Sequence, residues 1–178
     1  MKFVETSLKD AYLIDLDLKE DQRGFFARLF CAEEFQELGL ESNFVQVNNS
    51  ASSQPYTLRG MHYQIAPSEE VKIVRCIQGS IYDVIIDIRP ASPTFKQAFG
   101  AVLNSNNRTM MYVPRGFAHG FLSLEPYSEL LYLVSTPYSK EAERGIRWND
   151  PSFKIAWPHA PKYISERDQQ HEDFIYRS

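Results

Sequence analysis

The sequence predicts an all-β protein, a sandwich or barrel of many short strands, on three observations. Apolar residues alternate with a period of two, prolines fall between or at the ends of the apolar runs, and one short segment has helical composition. The clearest alternation is Ser80–Arg89 (SIYDVIIDIR). Tyr82, Val84, Ile86 and Ile88 share one face, and Asp83, Asp87 and Arg89 share the other with Ile81 and Ile85. Val71–Ile77 reads as the strand before it, and Gln78-Gly79-Ser80 as a hairpin turn between the two. Further strands are predicted at Phe44–Asn48, Thr109–Val113, Gly120–Leu124 and Glu129–Val134. Pro90, Pro93, Pro114, Pro126 and Pro137 sit where a missing N–H donor does least harm. The helix is Ala32–Leu38, ended by Gly39 in the left-handed conformation. Trp148–Ser178 reads as irregular or partly helical. Its aromatics Phe153, Trp157, Tyr163 and Phe174 predict that it packs on the barrel.

At 178 residues, with no repeat, low-complexity tract or Gly/Ser-rich linker, the chain reads as one domain spanning 1–178. A hydrophobic fraction of 43% and a charged fraction of 24% describe an ordinary globular composition. The net charge of −4 argues against a nucleic-acid binder but leaves room for a small anionic ligand, which needs only a few local cations. No apolar run approaches the roughly 20 residues that span a bilayer, so no membrane partner is expected. Met1–Asp10 lacks the apolar stretch of a signal peptide. Cys31 and Cys76 are too few for a disulfide framework and read as small buried hydrophobes in a reducing cytoplasm.

Four segments combine Gly or Pro turns, or a capping Ser, with reactive side chains: DQRGFF (Asp21–Phe26), LRGMHYQ (Leu58–Gln64), VPRGFAHGF (Val113–Phe121) and SERD (Ser165–Asp168). The histidines are His62, His119, His159 and His171. Metal-binding β-barrels commonly offer an H-x-H pair, a nearby Glu and a distant third His. Here Tyr63 and Gln64 follow His62, leaving only Glu69, Glu70 and His119 as further ligands, so no metal is expected. Without a metal, His62 is the best general-base candidate, since an imidazole titrates near neutrality. A buried carboxylate would fix its tautomer, and Asp168 is one candidate. A lone histidine is as readily a hydrogen-bonded structural residue. Arg23, Arg59 and Lys72 sit at strand edges or turns and would suit a diphosphate or an enolate oxygen at one barrel mouth, although surface charge is the commoner fate of such residues. Lys72 shares a strand face with Val74 and Cys76, which makes it either snorkelling or functional. Tyr132, in ELLYLV, shares a face with Leu130 and Val134 and could equally be a core tyrosine.

Taken in order, these motifs resemble the dTDP-4-dehydrorhamnose 3,5-epimerase family. The resemblance runs from about Leu13 to Phe174. It is carried by DQRGFF, FVQVNNS (Phe44–Ser50), LRGMHYQ, KIVRC (Lys72–Cys76), DVIIDIR followed by SPTF (Ser92–Phe95), VPRGFAHGF, RGIRWNDP (Arg144–Pro151) and ISERD. It implies a double-stranded β-helix, the cupin jelly roll, with a few short helices, and a cytoplasmic homodimer. A β-rich N-terminal arm could pair with a neighbour's sheet edge. The resemblance makes His62 the base, Asp168 its orienting partner, Tyr132 the acid on the opposite face of the sugar and Lys72 the enolate stabiliser. Arg23, Phe26, Arg28, Gln46, Asn48, Arg59, His119, Tyr138 and Glu143 match substrate-binding positions.

The implied substrate is a dTDP-4-keto-6-deoxyhexose, epimerised at C3 and C5 from the D-gluco compound to dTDP-4-dehydro-L-rhamnose. The C4 ketone acidifies the protons at both carbons, so no cofactor is needed. The chain departs from the family in having Arg28 where Glu is common, and Leu133 and Pro137 where Lys and Tyr are common. These departures keep open C3-only epimerisation or another nucleoside-diphosphate sugar. A non-catalytic sugar-nucleotide module and a metal-dependent oxygenase are the alternatives from other classes.

Overall fold

The computed structural model describes residues 1–176. The N-terminal region opens with β1 (Lys2–Glu5), β2 (Tyr12–Asp15), β3 (Lys19–Asp21) and β4 (Gly24–Phe26), followed by helix α1 (Ala32–Glu37). The central strands are β5 (Gln46–Ser52), β6 (Thr57–Gln64), β7 (Lys72–Gln78), β8 (Ser80–Asp87) and β9 (Ala98–Asn104). Then come β10 (Met110–Val113), β11 (Phe117–Ser123), β12 (Ser128–Val134), β13 (Glu143–Gly145), β14 (Tyr163–Ile164) and α2 (Glu166–Gln169). One sheet has the order β1-β2-β10-β7-β12-β5, and the other β13-β6-β11-β8-β9 with β14 parallel to β6. The strands β3 and β4 form a separate hairpin. This is the expected jelly-roll barrel with two short helices.

The inner faces of the two sheets make the core. From β8 come Ile81 and Ile85, from β7 Val74 and Cys76, and from β12 Leu130, with Tyr132 packed against them. The opposite face of β8, with Val84 and Ile86, is equally buried under Ile146, Phe153, Trp157 and Phe174. The C-terminal stretch therefore packs on the barrel as its aromatics predict; its last two positions lie outside the described residues. The two acids on the inner face of β8 are fully buried and each has a side-chain partner, although Asp83 Oδ2 has none among the described residues. Asp83 meets His119, and Asp87 accepts from Arg89, Ser92 and Thr94. Helix α1 covers the outer face of the first sheet through Phe35, in an aromatic cluster with Phe3, Phe30, Phe44 and Tyr112. Gly39 has φ +69°, as a left-handed helix end requires.

Three expectations need correction. The turn at Gln78-Gly79-Ser80 joins no hairpin: β7 pairs with β10 and β12, whereas β8 pairs with β9 and β11. The tight turn is a corner carrying the chain from one sheet to the other. Gly79 has φ +69°, and a β-carbon there would lie 2.7 Å from Ser128 Oγ. The expected strands Phe44–Asn48 and Gly120–Leu124 are displaced, to Gln46–Ser52 and Phe117–Ser123. Eight strands lie outside the segments the sequence predicts: β1–β4, β13 and β14, and, among the central strands, β6 and β9. LRGMHYQ carries glycine and polar residues that hide its alternation, yet it runs beside β11 in the middle of the second sheet.

Candidate functional site

Glycine determines how closely β6 and β11 approach. Gly60 has φ +125°, and a β-carbon there would stand 2.6 Å from Gly120 Cα; one on Gly120 would stand 2.7 Å from the Arg59 carbonyl oxygen. This contact, with an irregularity between His119 and Phe121, sets His62 opposite His119 in the ladder. Two adjoining cavities, of about 890 and 350 Å³, share His62, Lys72 and Tyr132 on their walls. Their sizes suit a substantial small-molecule ligand. His62 comes from one sheet, while Lys72 and Tyr132 come from β7 and β12 of the other. The three thus reach one space from two walls.

His62 Nε2 lies 2.7 Å from Asp168 Oδ1. Asp168 belongs to α2, which Ser165 caps by accepting the Asp168 backbone N–H at 3.1 Å. Its second oxygen accepts the Gly60 N–H at 3.2 Å. Burial pushes the Asp168 carboxyl upward, but hydrogen bonding and charge from His62, with the Gly60 N–H, outweigh it and hold the group below its ordinary value. Asp168 is therefore an anion at neutral pH. With the proton of His62 on Nε2, facing that anion, the lone pair falls on Nδ1.

On the facing wall, Lys72 Nζ pairs with Glu70 Oε1 at 3.0 Å, both side chains largely buried. Burial raises the Tyr132 phenol above its ordinary value, and the Glu70 charge adds to the effect. Tyr132 is thus a protonated acid at neutral pH. Gln46 donates to Asn48 Oδ1 at 2.7 Å beside the smaller cavity. Tyr138 donates to Glu143 Oε2 at 2.8 Å, and Glu143 also pairs with Arg167. Burial drives Glu143 upward, yet those two bonds hold it below the ordinary range. Arg59 donates to the Ala51 carbonyl at 2.9 Å, and His119 Nε2 lies 2.8 Å from Asp83 Oδ1.

The structure thus brings together His62, Tyr132, Asp168, Lys72, Gln46, Asn48, Arg59, His119, Tyr138 and Glu143 around one paired cavity. It does not bring Arg23, Phe26 or Arg28 there within one chain. Arg23 is 90% exposed at the β3–β4 turn, paired with Asp21. Phe26 is 72% exposed, and Arg28 pairs with Glu34 at 3.1 Å beside a separate small hollow. Sequence reasoning missed Arg167, Lys162 and Tyr163, which line the larger cavity, and the pairing of Glu70 with Lys72. Arg167 lies within the SERD motif beside Asp168, and that was the available signal.

His62, Asp168 and His171 are the one group of metal-type donors among the described residues, with donor atoms within 4.8 Å of one another. The Asp168 oxygen is already engaged by His62 at hydrogen-bond length, which is the arrangement of an acid–base dyad.

A jelly roll with a hydrogen-bonded histidine–aspartate pair on one wall and a protonated tyrosine and a lysine on the other has the groups that acid–base chemistry on a small molecule requires. Comparison with known proteins agrees. The family model for dTDP-4-dehydrorhamnose 3,5-epimerase matches residues 5–175. The Shigella flexneri dTDP-4-dehydrorhamnose 3,5-epimerase is 39% identical over 176 residues, 98% of this chain and 97% of that one. The crystal structure of the Elizabethkingia anophelis enzyme of that description superposes with a TM-score of 0.95 at 40% identity, covering 98% and 96% of the two chains. A dTDP-6-deoxy-D-glucose-3,5-epimerase from Legionella pneumophila, in complex with dTDP-4-keto-L-rhamnose, gives 0.90 at 35% identity, covering 97% and 92%. The chain belongs to the dTDP-4-dehydrorhamnose 3,5-epimerase family of cupin-type isomerases.

Proposed function

We propose that the protein epimerises a dTDP-4-dehydro-6-deoxyhexose at C3 and C5, converting the D-gluco compound to dTDP-4-dehydro-L-rhamnose. One observation carries this reading: the His62–Asp168 dyad and the Tyr132 hydroxyl reach the same cavity from opposite sheets. His62 Nδ1 takes the proton from a carbon beside the C4 ketone, and the electron pair of the broken C–H bond passes to the ketone oxygen as an enolate. Asp168 stabilises the imidazolium that forms. Lys72 places positive charge by the enolate oxygen, where preorganised charge contributes most to the rate. Tyr132 returns a proton to the opposite face of the same carbon, inverting it, and exchange with solvent resets both groups. Repetition at the second carbon completes the reaction. The ketone already in the substrate supplies the acidity, so the chemistry calls for no redox cofactor.

Arg59, His119, Gln46, Asn48, Tyr138 and Glu143 bind the nucleotide and sugar in this reading, which gives remote binding energy to hold the ring in register. Arg23, Phe26 and Arg28 serve the site of a second copy. The β3–β4 hairpin that carries or adjoins them stands apart from both sheets, and β5 ends the first sheet with a free edge beside exposed Val45 and Val47. The active form is therefore a homodimer, working in the cytoplasm, where nucleotide sugars are made. Among the described residues no helix is long and apolar enough to cross a membrane.

Proton NMR of the 4-keto sugar nucleotide in deuterium oxide tests the reading. Label at both C3 and C5 is expected. Label at C3 alone would make it a C3 epimerase, and binding without exchange would make it a sugar-nucleotide module.

A further inference from the structure

His171 has no part in the reaction as derived so far. It follows α2, three residues beyond Asp168, and its Nε2 is buried with no hydrogen-bond partner. That nitrogen lies 3.5 Å from Asp168 Oδ1, the oxygen that His62 Nε2 holds at 2.7 Å. Only a few tenths of an ångström separate it from an ordinary N–H···O bond. The two imidazoles meet edge to face, 5.8 Å between centroids and 81° between planes. The room for the second ring is made by Gly145, where a β-carbon would fall 2.1 Å from His171 Nε2 and 2.2 and 2.4 Å from the adjoining ring carbons. Gly145 is itself the ladder partner of His62 across β13 and β6. The strand pair that carries the base thus also carries the notch that receives His171. This gives the glycine of RGIRWNDP a physical task.

We propose that His171 is a positioning residue for the base: its Nε2–H is aimed at Asp168 Oδ1, shares that oxygen with His62, and so loosens the carboxylate's hold on a proton at His62. The inference rests on the reading of His62 as the base. A second donor to one carboxylate oxygen draws off part of its charge, so less remains to stabilise an imidazolium at His62.

The donor must be a neutral ring, because a cation at 5.8 Å would oppose the charge His62 acquires in the reaction. Burial, then the charges of His62 and Arg167, push His171 below its ordinary value, and Asp168 alone pulls the other way. The charged and titratable groups that act on it are His62 from β6 and Asp168 and Arg167 from α2; β13 packs Gly145 against the ring, with Glu143 and Arg144 preceding it in the strand.

The test compares the full-length protein with His171→Phe, which keeps a ring in the notch but loses the donor, and His171→Gln, whose amide keeps a donor at the Nε2 position. Deuterium incorporation into the 4-keto sugar is followed from pH 5 to 9, with KM and melting temperature for each variant. In His171→Phe the acid limb of the rate should move up by about one pH unit, an approximately tenfold loss at the acid end with little change at pH 9. In His171→Gln the limb should stay in place, and KM should be unchanged in both. An unmoved limb in His171→Phe, or equal displacement in both variants, would overturn the proposal and leave His171 a packing residue. If His171→Phe does not fold, His171→Asn, too short to reach Asp168, takes its place with the same expected shift.

Imidazole NMR of the unliganded protein supplies an arm that needs no turnover. The His62 resonance should show a second inflection as His171 titrates, lost in His171→Gln. Its absence would also refute the coupling. A wild-type protein that exchanged no sugar proton but kept the inflection would sink the epimerase reading and leave the His62–Asp168–His171 relay standing.

Discussion

Replacing Asp168 by asparagine isolates what the dyad contributes. The substitution removes one negative charge and turns the atom facing His62 Nε2 from an acceptor into an amide donor, which disfavours the tautomer with its lone pair on Nδ1. The amide oxygen can still accept the Gly60 N–H, and the bond to Ser165 uses the backbone N–H of residue 168. What is lost is a charge-assisted bond of 2.7 Å from a side chain only 5% exposed. Such bonds contribute about 1.5–3 kcal/mol net. When His62 becomes a cation, a unit charge pair about 4 Å apart at an effective dielectric of about 20 is worth about 4 kcal/mol. A loss of about 2–4 kcal/mol in the transition state, at about 1.4 kcal/mol per tenfold, lowers kcat/KM by about 30- to 1,000-fold. The assay is deuterium incorporation at C3 and C5 at pH 7.5, with nucleotide affinity measured separately by calorimetry and the melting temperature as control. Affinity should hold within about threefold, and the melting temperature should fall by no more than a few degrees, as a cost of about 1 kcal/mol implies. A correctly folded variant exchanging within about threefold of the parent would refute the dyad.

Three other outcomes follow from the same geometry. Tyr132→Phe should spare deuterium exchange at the first carbon while net inversion falls at least about 100-fold, the lower range for a lost general acid; equal loss of both would remove Tyr132 from the acid's role. Lys72→Gln should lower kcat by about 100-fold or more, in line with a lost oxyanion donor; a change confined to KM would place Lys72 in binding alone. Arg89→Met should destabilise the fold by about 3–5 kcal/mol, because it strips the paired cation from fully buried Asp87. Burial pushes Asp87 upward, but the bonds from Arg89, Ser92 and Thr94 outweigh it and hold the carboxyl below its ordinary value. Its contribution is therefore complete above the ordinary carboxylate range and lost as pH falls through the lowered folded value. Thermal melts between pH 7 and pH 3 should show that loss in the parent, and a variant with the parent's acid dependence would contradict the assignment.

Strand by strand, the sequence speaks where one rule governs one segment. The alternation of Ser80–Arg89 is local, and it survives because both faces of β8 are buried, each against its own apolar cluster. It falls silent at β6, where Gly60 is required by the approach of β11 and His62 by chemistry, so neither residue follows the strand pattern. The turn at Gly79 misled for a related reason. Two strands joined by a tight turn look like a hairpin locally, and only the partners of each show that they belong to different sheets. The arm residues Arg23, Phe26 and Arg28 mark a similar boundary: motif order groups them with the site, while within one chain the fold sets them apart from it.

The dyad shows the division most clearly. The sequence alone determined an all-β chain, the candidates His62, Lys72, Tyr132 and Asp168, and, through ordered motifs, the family. Composition and spacing left each of those residues near an ordinary structural role, because 106 positions separate His62 from Asp168 and no local rule spans that distance. Tertiary structure decided that the two touch, that Tyr132 and Lys72 face them from the other sheet, and that His171 stands behind the pair in a notch left by Gly145. The physical reason is that hydrogen bonding, desolvation and charge act over a few ångströms of space, and only the folded chain brings such distant residues within that range.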